Sequence, residues 1–163
     1  MMIGILTAND LLVLLYETLV IYCLAGFAFY DLLNRRVPDR ALVIFCPVAM
    51  AAPFVAVFFK GQSVLTACGN SLAGAAASFF ILLAAALVTH SGAGIGGGDI
   101  KLGAILGFIY GPDKMIIILL TASALASITA LVIRRKDPNG NLALPFVPFL
   151  AIGNLAAIAA SIF

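Results

Sequence analysis

The chain has 163 residues, of which 64% are hydrophobic and only 10% are charged. A typical soluble domain carries about 25% charged residues, so this chain has too few polar groups to cover a surface in water. The net charge of +2 is small, and the basic residues form no stripe suited to nucleic acid. These values exclude a soluble domain and a nucleic-acid-binding protein. They predict an all-α, polytopic membrane protein.

The apolar residues fall into six segments, and we therefore expect about six transmembrane helices in one membrane domain, residues 1–163. A helix needs about 20 apolar residues to cross a hydrocarbon core of about 30 Å. The fourth segment is shorter than this, so we expect its cytoplasmic end to be sunken or to begin within the glycines before it. The segments are residues 11–33, 41–59, 64–89, 100–110, 115–133 and 142–163.

The basic residues predict the orientation of these helices. Seven of the nine come after the first, third and fifth segments, with Lys101 at the very start of the fourth, whereas Lys60 and Lys114 lie in the connections on the other side. Because cytoplasmic loops are enriched in Lys and Arg, we expect both termini to lie outside and the first, third and fifth connections to lie in the cytoplasm. The seven residues are Arg35, Arg36, Arg40, Lys101, Arg134, Arg135 and Lys136.

Three carboxylates adjoin or interrupt the apolar segments, namely Glu17, Asp31 and Asp99. A carboxylate within the membrane costs roughly 2.5–3.5 kcal/mol and indicates a functional site. Asp31 lies one turn before the first basic cluster, and Asp99 begins the fourth helix on the same side of the membrane. We therefore expect these two at one depth. Glu17 lies about 21 Å from Asp31 along its helix, so we expect it to make a separate polar contact inside the bundle.

Two carboxylates at one depth suit an aspartyl dyad. Close like charges share a single proton, so the ionised member can take a proton from water while the protonated member polarises a carbonyl group. The chain has one histidine and neither a CxxC nor an HExxH pattern, so we expect no metal and no cofactor. Asp39, which follows Pro38, is interpreted as the cap of the second helix.

The glycines before Asp99 allow three interpretations: a turn, a phosphate-binding loop, or room for a peptide. The GxxxxGK[ST] pattern of a phosphate loop is absent, whereas glycine permits a substrate backbone to approach closely. We expect Gly96, Gly97 and Gly98 to line a cavity open to the cytoplasm. Lys101 is expected to bind substrate at the same cavity, with a purely topological role as the alternative.

Three motifs resemble those of the type IV prepilin peptidases, a family of GxGD membrane aspartyl peptidases. They are FYDLLNRRVPD at residues 29–39, GGGDIKLGAILG at residues 96–107 and LPFVPFLAIG at residues 144–153. The resemblance implies that Asp31 and Asp99 are the catalytic pair. It also implies an enzyme of the inner membrane that cleaves the leader of type IV pilin-like precursors at the cytoplasmic face, after a glycine.

The chain departs from the family pattern in two respects. Asp39 stands where many relatives have Asn, and the cysteine pairs of the larger, N-methylating members are absent. The resemblance therefore implies a short, peptidase-only member serving Flp/Tad-type pili, without a methyltransferase domain. Pro145 and Pro148 either shape the mouth of the site or mark the start of the last helix.

Two other functions are compatible with the sequence. One is a small proton-coupled transporter or channel that uses Glu17, Asp31 and Asp99 as relay sites, and the other is a scaffold protein of the membrane. A relay predicts carboxylates staggered through the bilayer, whereas a peptidase predicts two at one depth. The expected partners of a peptidase are a pilin-like precursor and the membrane lipids, and the pattern sets no oligomeric state.

Overall fold

The structure is a bundle of helices. The computed structural model describes residues 8–88, 96–136 and 144–162, and no strand occurs among them. The all-α prediction is thus confirmed. The helices are α1 (Ala8–Asn34), α2 (Asp39–Met50), α3 (Ala52–Lys60), α4 (Val64–Val88), α5 (Gly97–Lys136) and α6 (Val147–Ile162).

The second predicted segment is interrupted, because α2 ends at Met50 and α3 begins at Ala52. Pro47 lies inside α2, and a second proline, Pro53, lies in the first turn of α3. Proline lacks an amide donor and its ring crowds the preceding turn, which explains a break at Ala51. Ala51 keeps right-handed helical angles (φ −71°, ψ −19°), and α2 and α3 together form one candidate membrane span, Asp39–Lys60. The second predicted segment, residues 41–59, is thus confirmed as a span with a local interruption.

Helix α5 consists of two arms that fold back on each other at Gly111. Gly111 has φ 73° and ψ 176°, a conformation outside the helical region that favours glycine. A Cβ atom built on Gly103 would lie 4.0 Å from Cε of Met115, although 12 residues of straight helix span about 18 Å. The arms, residues 97–110 and 112–136, correspond to the fourth and fifth predicted helices.

The described residues include four helices long and apolar enough to cross a membrane, if α2 and α3 are taken as one and α5 is taken whole. Helix α6 is a shorter apolar helix. With the two arms of α5 counted separately, the bundle agrees with the prediction of about six membrane helices. The chain is a multi-pass membrane protein.

Two predicted helix starts are wrong. The last helix was expected from residue 142 but begins at Val147, after Pro145, because the residue before a proline avoids helical geometry. Asp39 was expected to cap α2, but Pro38 occupies that position and no side chain caps the helix. Residues 89, 142, 143 and 163, at the ends of predicted helices, lie outside the described residues.

Helices α4 and α5 pack with their backbones in close contact. A Cβ atom on Gly74 would overlap the carbonyl oxygen of Gly107, and one on Gly107 would overlap that of Gly74. The hydroxyl of Ser78 donates a hydrogen bond of 2.8 Å to the Gly74 carbonyl on the same helix. Small residues allow this close approach where lipid supplies no hydrophobic drive. The largest fully buried apolar side chains include Leu24, Leu102, Leu106, Met115, Ile118 and Leu150.

The contact between these helices predicts the effect of adding one methyl group. Gly74→Ala would overpack the α4–α5 interface at a cost of about 1–3 kcal/mol, which lowers the melting temperature in detergent by several degrees. Gly69→Ala on the same helix is the matched control, because no heavy atom lies within 4 Å of its Cβ position. Equal melting temperatures for the two variants would contradict the close packing.

Candidate active site

A polar cavity of about 440 Å³ opens at the end of the bundle where α1 stops and α2, α5 and α6 begin. We call this end of the bundle, marked by Asn34 and Val147, the Asp31 end. The cavity is lined by Asp31, Arg35, Arg36, Val37, Asp39, Gly96, Gly97, Gly98, Asp99, Lys101, Leu144, Pro145 and Phe146.

Asp31 lies at the buried side of this cavity, in the last turn of α1, and is only 3% exposed. Its Oδ2 accepts a hydrogen bond of 3.1 Å from the amide of Val147, the first residue of α6. The backbone amide of Phe146 is a second hydrogen-bond donor to this carboxyl group. The first amides of a helix have no partner within the helix, so the start of α6 supplies donors for a buried carboxylate.

Asp99 lies in the first turn of α5, and its carboxyl group is held locally. Its Oδ2 accepts a hydrogen bond of 3.2 Å from the amide of Gly96, and its own amide donates to the Gly96 carbonyl at 3.0 Å. A side chain that reaches back to the residue before the helix is half of a capping box. Asp99 is half-buried, and it lies close enough to Asp31 for the negative charges of the two carboxylates to repel each other. The two predicted aspartates therefore share one cavity.

Lys101 and Asp39 form an ion pair across the cavity mouth, with 2.7 Å between Nζ and Oδ1. This is the contact that the Asp39 carboxylate makes in place of the expected helix cap. Both side chains are exposed, so the pair contributes about 0–1 kcal/mol to stability. Its geometric effect is to join the start of α2 to the helix that carries Asp99.

The three glycines before Asp99 have different surroundings. A Cβ atom on Gly98 would lie 2.8 Å from Cβ of Val37 and 3.1 Å from its carbonyl oxygen, so Val37 requires a glycine there. No heavy atom of a described residue lies within 4 Å of the Cβ position of Gly97, whereas a Cβ atom on Gly96 would lie 3.4 Å from Oδ2 of Asp99. Gly97 thus borders open space in the cavity, and substrate binding by the three glycines stays a prediction.

Glu17 lies at the opposite end of the bundle, which we call the Glu17 end. Its Oε1 is 3.9 Å from Nζ of Lys60 and 3.7 Å from Nζ of Lys114. Lys114 also contacts Ser161 of α6, with 3.4 Å between Nζ and Oγ. Glu17 therefore makes the separate polar contact expected from the sequence and does not line the cavity that contains Asp31.

The structure also places two prolines whose role the sequence left open, and it adds three residues to the site that the sequence did not predict. Pro145 lines the cavity, whereas Pro148 lies in the first turn of α6. Val37, Phe146 and Val147 were missed, because their roles come from backbone atoms or packing that residue type does not signal. Among the residues described, no three His, Cys, Asp or Glu side chains are grouped to hold a metal ion.

Residues from all three motifs that suggested a family line the cavity, and comparison with known proteins tests the resemblance. Residues 18–131 match the model of the type IV leader peptidase family. The chain belongs to this family. The matched region contains both Asp31 and Asp99, and the resemblance noted in the sequence is thereby confirmed.

Two curated relatives carry the name prepilin leader peptidase/N-methyltransferase. The protein of Bacillus subtilis (strain 168) is 33% identical over 137 residues, which are 80% of this chain and 49% of that protein. The protein of Legionella pneumophila is 29% identical over 150 residues, which are 89% of this chain and 50% of that protein. The chain thus spans about half the length of these relatives. No solved structure is significantly similar to it.

The packing of Gly98 on Val37 predicts that two neighbouring glycines tolerate alanine differently. Gly98→Ala should lower the free energy of unfolding by about 1–3 kcal/mol, because the new methyl group overlaps Val37. Gly97→Ala is the control and should change it little, since its Cβ position is open. Thermal unfolding in detergent measures both.

A double-mutant cycle tests whether Val37 is the cause of this difference. In a Val37→Gly background the Cβ atom closest to Gly98 is gone, so Gly98→Ala should cost less there than in the wild type. Residues in contact give non-additive effects in such cycles. Strictly additive effects would show that the cost of Gly98→Ala arises elsewhere.

Proposed function

We propose that the chain is a membrane-embedded aspartyl endopeptidase that cleaves the leader peptide of type IV pilin-like precursors, with Asp31 and Asp99 as its catalytic pair. One observation carries the proposal. Two aspartates from distant parts of the chain line the same polar cavity at one end of the bundle, and each accepts a backbone amide hydrogen bond. Membership of the leader peptidase family and the names of both relatives support the same activity.

Hydrolysis in this cavity needs only the two carboxyl groups and a water molecule. Two negative charges at close range repel, so the pair holds one proton between its members. The ionised carboxylate takes a proton from water, and the protonated carboxyl group donates a hydrogen bond to the substrate carbonyl. Collapse of the tetrahedral intermediate, with a proton returned to the leaving amine, breaks the peptide bond without a covalent enzyme intermediate.

The wall of the cavity suits an extended peptide. Gly97 borders open space, so a substrate backbone can approach Asp99 where a side chain would otherwise project. We infer that Gly96, Gly97 and Gly98 form the wall beside the scissile bond and that Lys101, held by Asp39, shapes the mouth. A glycine before the scissile bond of the precursor has no side chain to occupy the space between this wall and the dyad.

We further propose that the Asp31 end faces the cytoplasm, that both termini lie outside and that the substrates are Flp/Tad-type pilins. The distribution of basic residues supports this orientation: Arg35, Arg36 and Lys101 line the cavity at that end, whereas Lys60 and Lys114 lie at the Glu17 end. Buried residues of α1, α2, α4, α5 and α6 form one apolar cluster, which supports one membrane domain.

The position of Glu17 favours a peptidase over a proton relay. A relay needs its carboxylates along one continuous path through the membrane. Glu17 instead pairs with Lys60 and Lys114 at the opposite end of the bundle from Asp31 and Asp99. An ion pair of this kind holds helix ends together and leaves the dyad as the chemical site.

The dyad predicts the effect of removing either carboxylate. Asp31→Asn and Asp99→Asn should each reduce leader processing by at least about 100-fold, because general acid–base catalysis contributes factors of this size. The measurement is the conversion of a co-expressed pilin precursor to its mature form. Asp113→Asn is the matched control, since Asp113 is exposed on the second arm of α5, away from the cavity.

Normal processing by either dyad variant would contradict the proposed mechanism. A second arm of the experiment changes the substrate: replacing the glycine before the scissile bond with leucine should block cleavage by the wild-type enzyme. Cleavage of the leucine precursor at the normal rate would show that the cavity wall does not restrict that position.

The proposed orientation predicts which positions an impermeant thiol reagent reaches. In a variant without Cys23, Cys46 and Cys68, Gln62→Cys in the connection after α3 should be labelled in intact cells. Asn34→Cys at the end of α1 should be labelled only after the membrane is permeabilised. Both positions are exposed, so the reverse pattern would mean the opposite orientation.

A further inference from the structure

A second, apolar cavity of about 220 Å³ adjoins the candidate active site. It is a groove between α4 and the second arm of α5, in the half of the bundle nearer the Asp31 end. We call it the lateral groove. Its apolar lining includes Ile81, Leu82, Ile116, Leu119, Leu120 and Phe146.

The lateral groove opens sideways from the bundle, toward the lipid. Leu82 and Leu119 are buried and form its floor, whereas Ile81, Ile116 and Leu120 are exposed at its rim. Its lining contains one polar side chain, Ser123, and that hydroxyl donates a hydrogen bond of 3.1 Å to the Leu120 carbonyl of its own helix. Because the other described lining residues are apolar, the groove suits an apolar ligand.

Phe146 connects the lateral groove to the catalytic cavity, because it lines both. The next residue, Val147, donates the amide hydrogen bond that holds Asp31. The groove thus begins one residue from a contact of the dyad. Phe146 therefore lies at the boundary between the two cavities.

The two cavities differ sharply in charge. Arg35, Arg36, Asp39 and Lys101 line the catalytic cavity, whereas none of the described residues that line the lateral groove is charged. A substrate that occupies both must therefore be polar on one side of the scissile bond and apolar on the other. At membrane depth, an apolar segment must also satisfy its backbone hydrogen bonds internally, and a helix does so.

We propose that the lateral groove docks the apolar helical segment of the substrate that adjoins the scissile bond. The proposal rests on the peptidase function proposed above and adds the surface that selects the substrate. The segment lays its apolar face in the groove, as amphipathic or apolar helices do in other helix-in-groove complexes. Docking there anchors the chain, and the residues around the scissile bond reach the dyad past Phe146.

The test compares two substrates with purified full-length enzyme in detergent. Both carry the same basic leader, glycine and cleavage site. One continues into a 20-residue helix of leucine and alanine, as a membrane helix of about 20 residues would, and the other ends a few polar residues after the scissile bond. The wild type should cleave the helix-bearing substrate with the higher kcat/KM.

The deciding variant is Leu120→Trp, whose larger side chain fills the rim of the groove. It should lower the ratio of kcat/KM for the helix-bearing substrate to that for the short one by about tenfold, the factor that corresponds to about 1.4 kcal/mol of docking free energy. Leu72→Trp is the matched control, because Leu72 and Leu120 are each 64% exposed and Leu72 does not line the groove. That control should leave the ratio at its wild-type value.

Cross-linking gives an independent measurement. With p-benzoylphenylalanine at position 123 and Asp99→Asn to keep the substrate intact, irradiation should capture the helix-bearing precursor. Capture of phospholipid without the precursor would make the groove a lipid site and overturn the proposal. An unchanged substrate ratio in Leu120→Trp would overturn it as well.

The outcomes separate this proposal from the function on which it rests. If the peptidase function is wrong, the wild-type enzyme cleaves neither substrate. If only the docking proposal is wrong, the wild type cleaves both, and Leu120→Trp lowers both rates by the same factor or leaves both unchanged.

Discussion

The hydrogen bond from the Val147 amide to Asp31 is the contact on which the arrangement of the site depends. A carboxyl group that is 3% exposed carries a large desolvation cost unless donors replace the lost water. The start of α6 supplies such a donor, and the partial positive charge of a helix N-terminus favours an anion at that position. The bond also ties the end of the first helix to the beginning of the last, which are 116 residues apart.

The two ends of the bundle use charge in different ways. At the Glu17 end, one carboxylate lies between two lysines on different helices, so its charge is paired with cations. At the Asp31 end, the carboxyl groups of the dyad are held by backbone amides instead of cations. Amide donors fix the position of a carboxyl group without pairing it with a full positive charge. Asp31 and Asp99 are therefore held in position and, in the proposed mechanism, remain able to exchange a proton.

Sequence patterns predicted the helices because lipid imposes a simple length and hydropathy rule, and the turn at Gly111 fell between two predicted segments. The local interruption at Ala51, which prolines flank, lies within the second predicted segment, because the apolar run continues through it. Asp39, by contrast, was misassigned. A carboxylate after a proline suits a local cap, but its partner, Lys101, lies 62 residues away. Long-range pairs of this kind leave no trace in local spacing.

The same limit applies inside the candidate site. The sequence predicted that Asp31 and Asp99 lie at one depth, because topology alone determines depth. It predicted neither the hydrogen bond from the Val147 amide nor the packing of Gly98 on Val37. Every residue except proline has a backbone donor, and shape complementarity depends on the folded structure, so residue type does not identify either contact. The sequence predicts that Gly98 leaves space for the substrate. The structure shows that Gly98 also packs against Val37.

These contacts also give the two aspartates different kinds of support. The position of Asp31 depends on the packing of α1 against α6, whereas Asp99 is held by the amide of Gly96, three residues before it in the sequence. The segment that leaves Asp31 then returns to Asp99, since Val37 packs on Gly98 and Asp39 pairs with Lys101. The short connection between α1 and α2 thus links the two halves of the site mechanically. A displacement of α6 would act on Asp31 through the Val147 hydrogen bond, whereas the connection between α1 and α2 ties Asp31 to the start of α5. The relative position of the two aspartates therefore depends on contacts between helices and not on either motif alone.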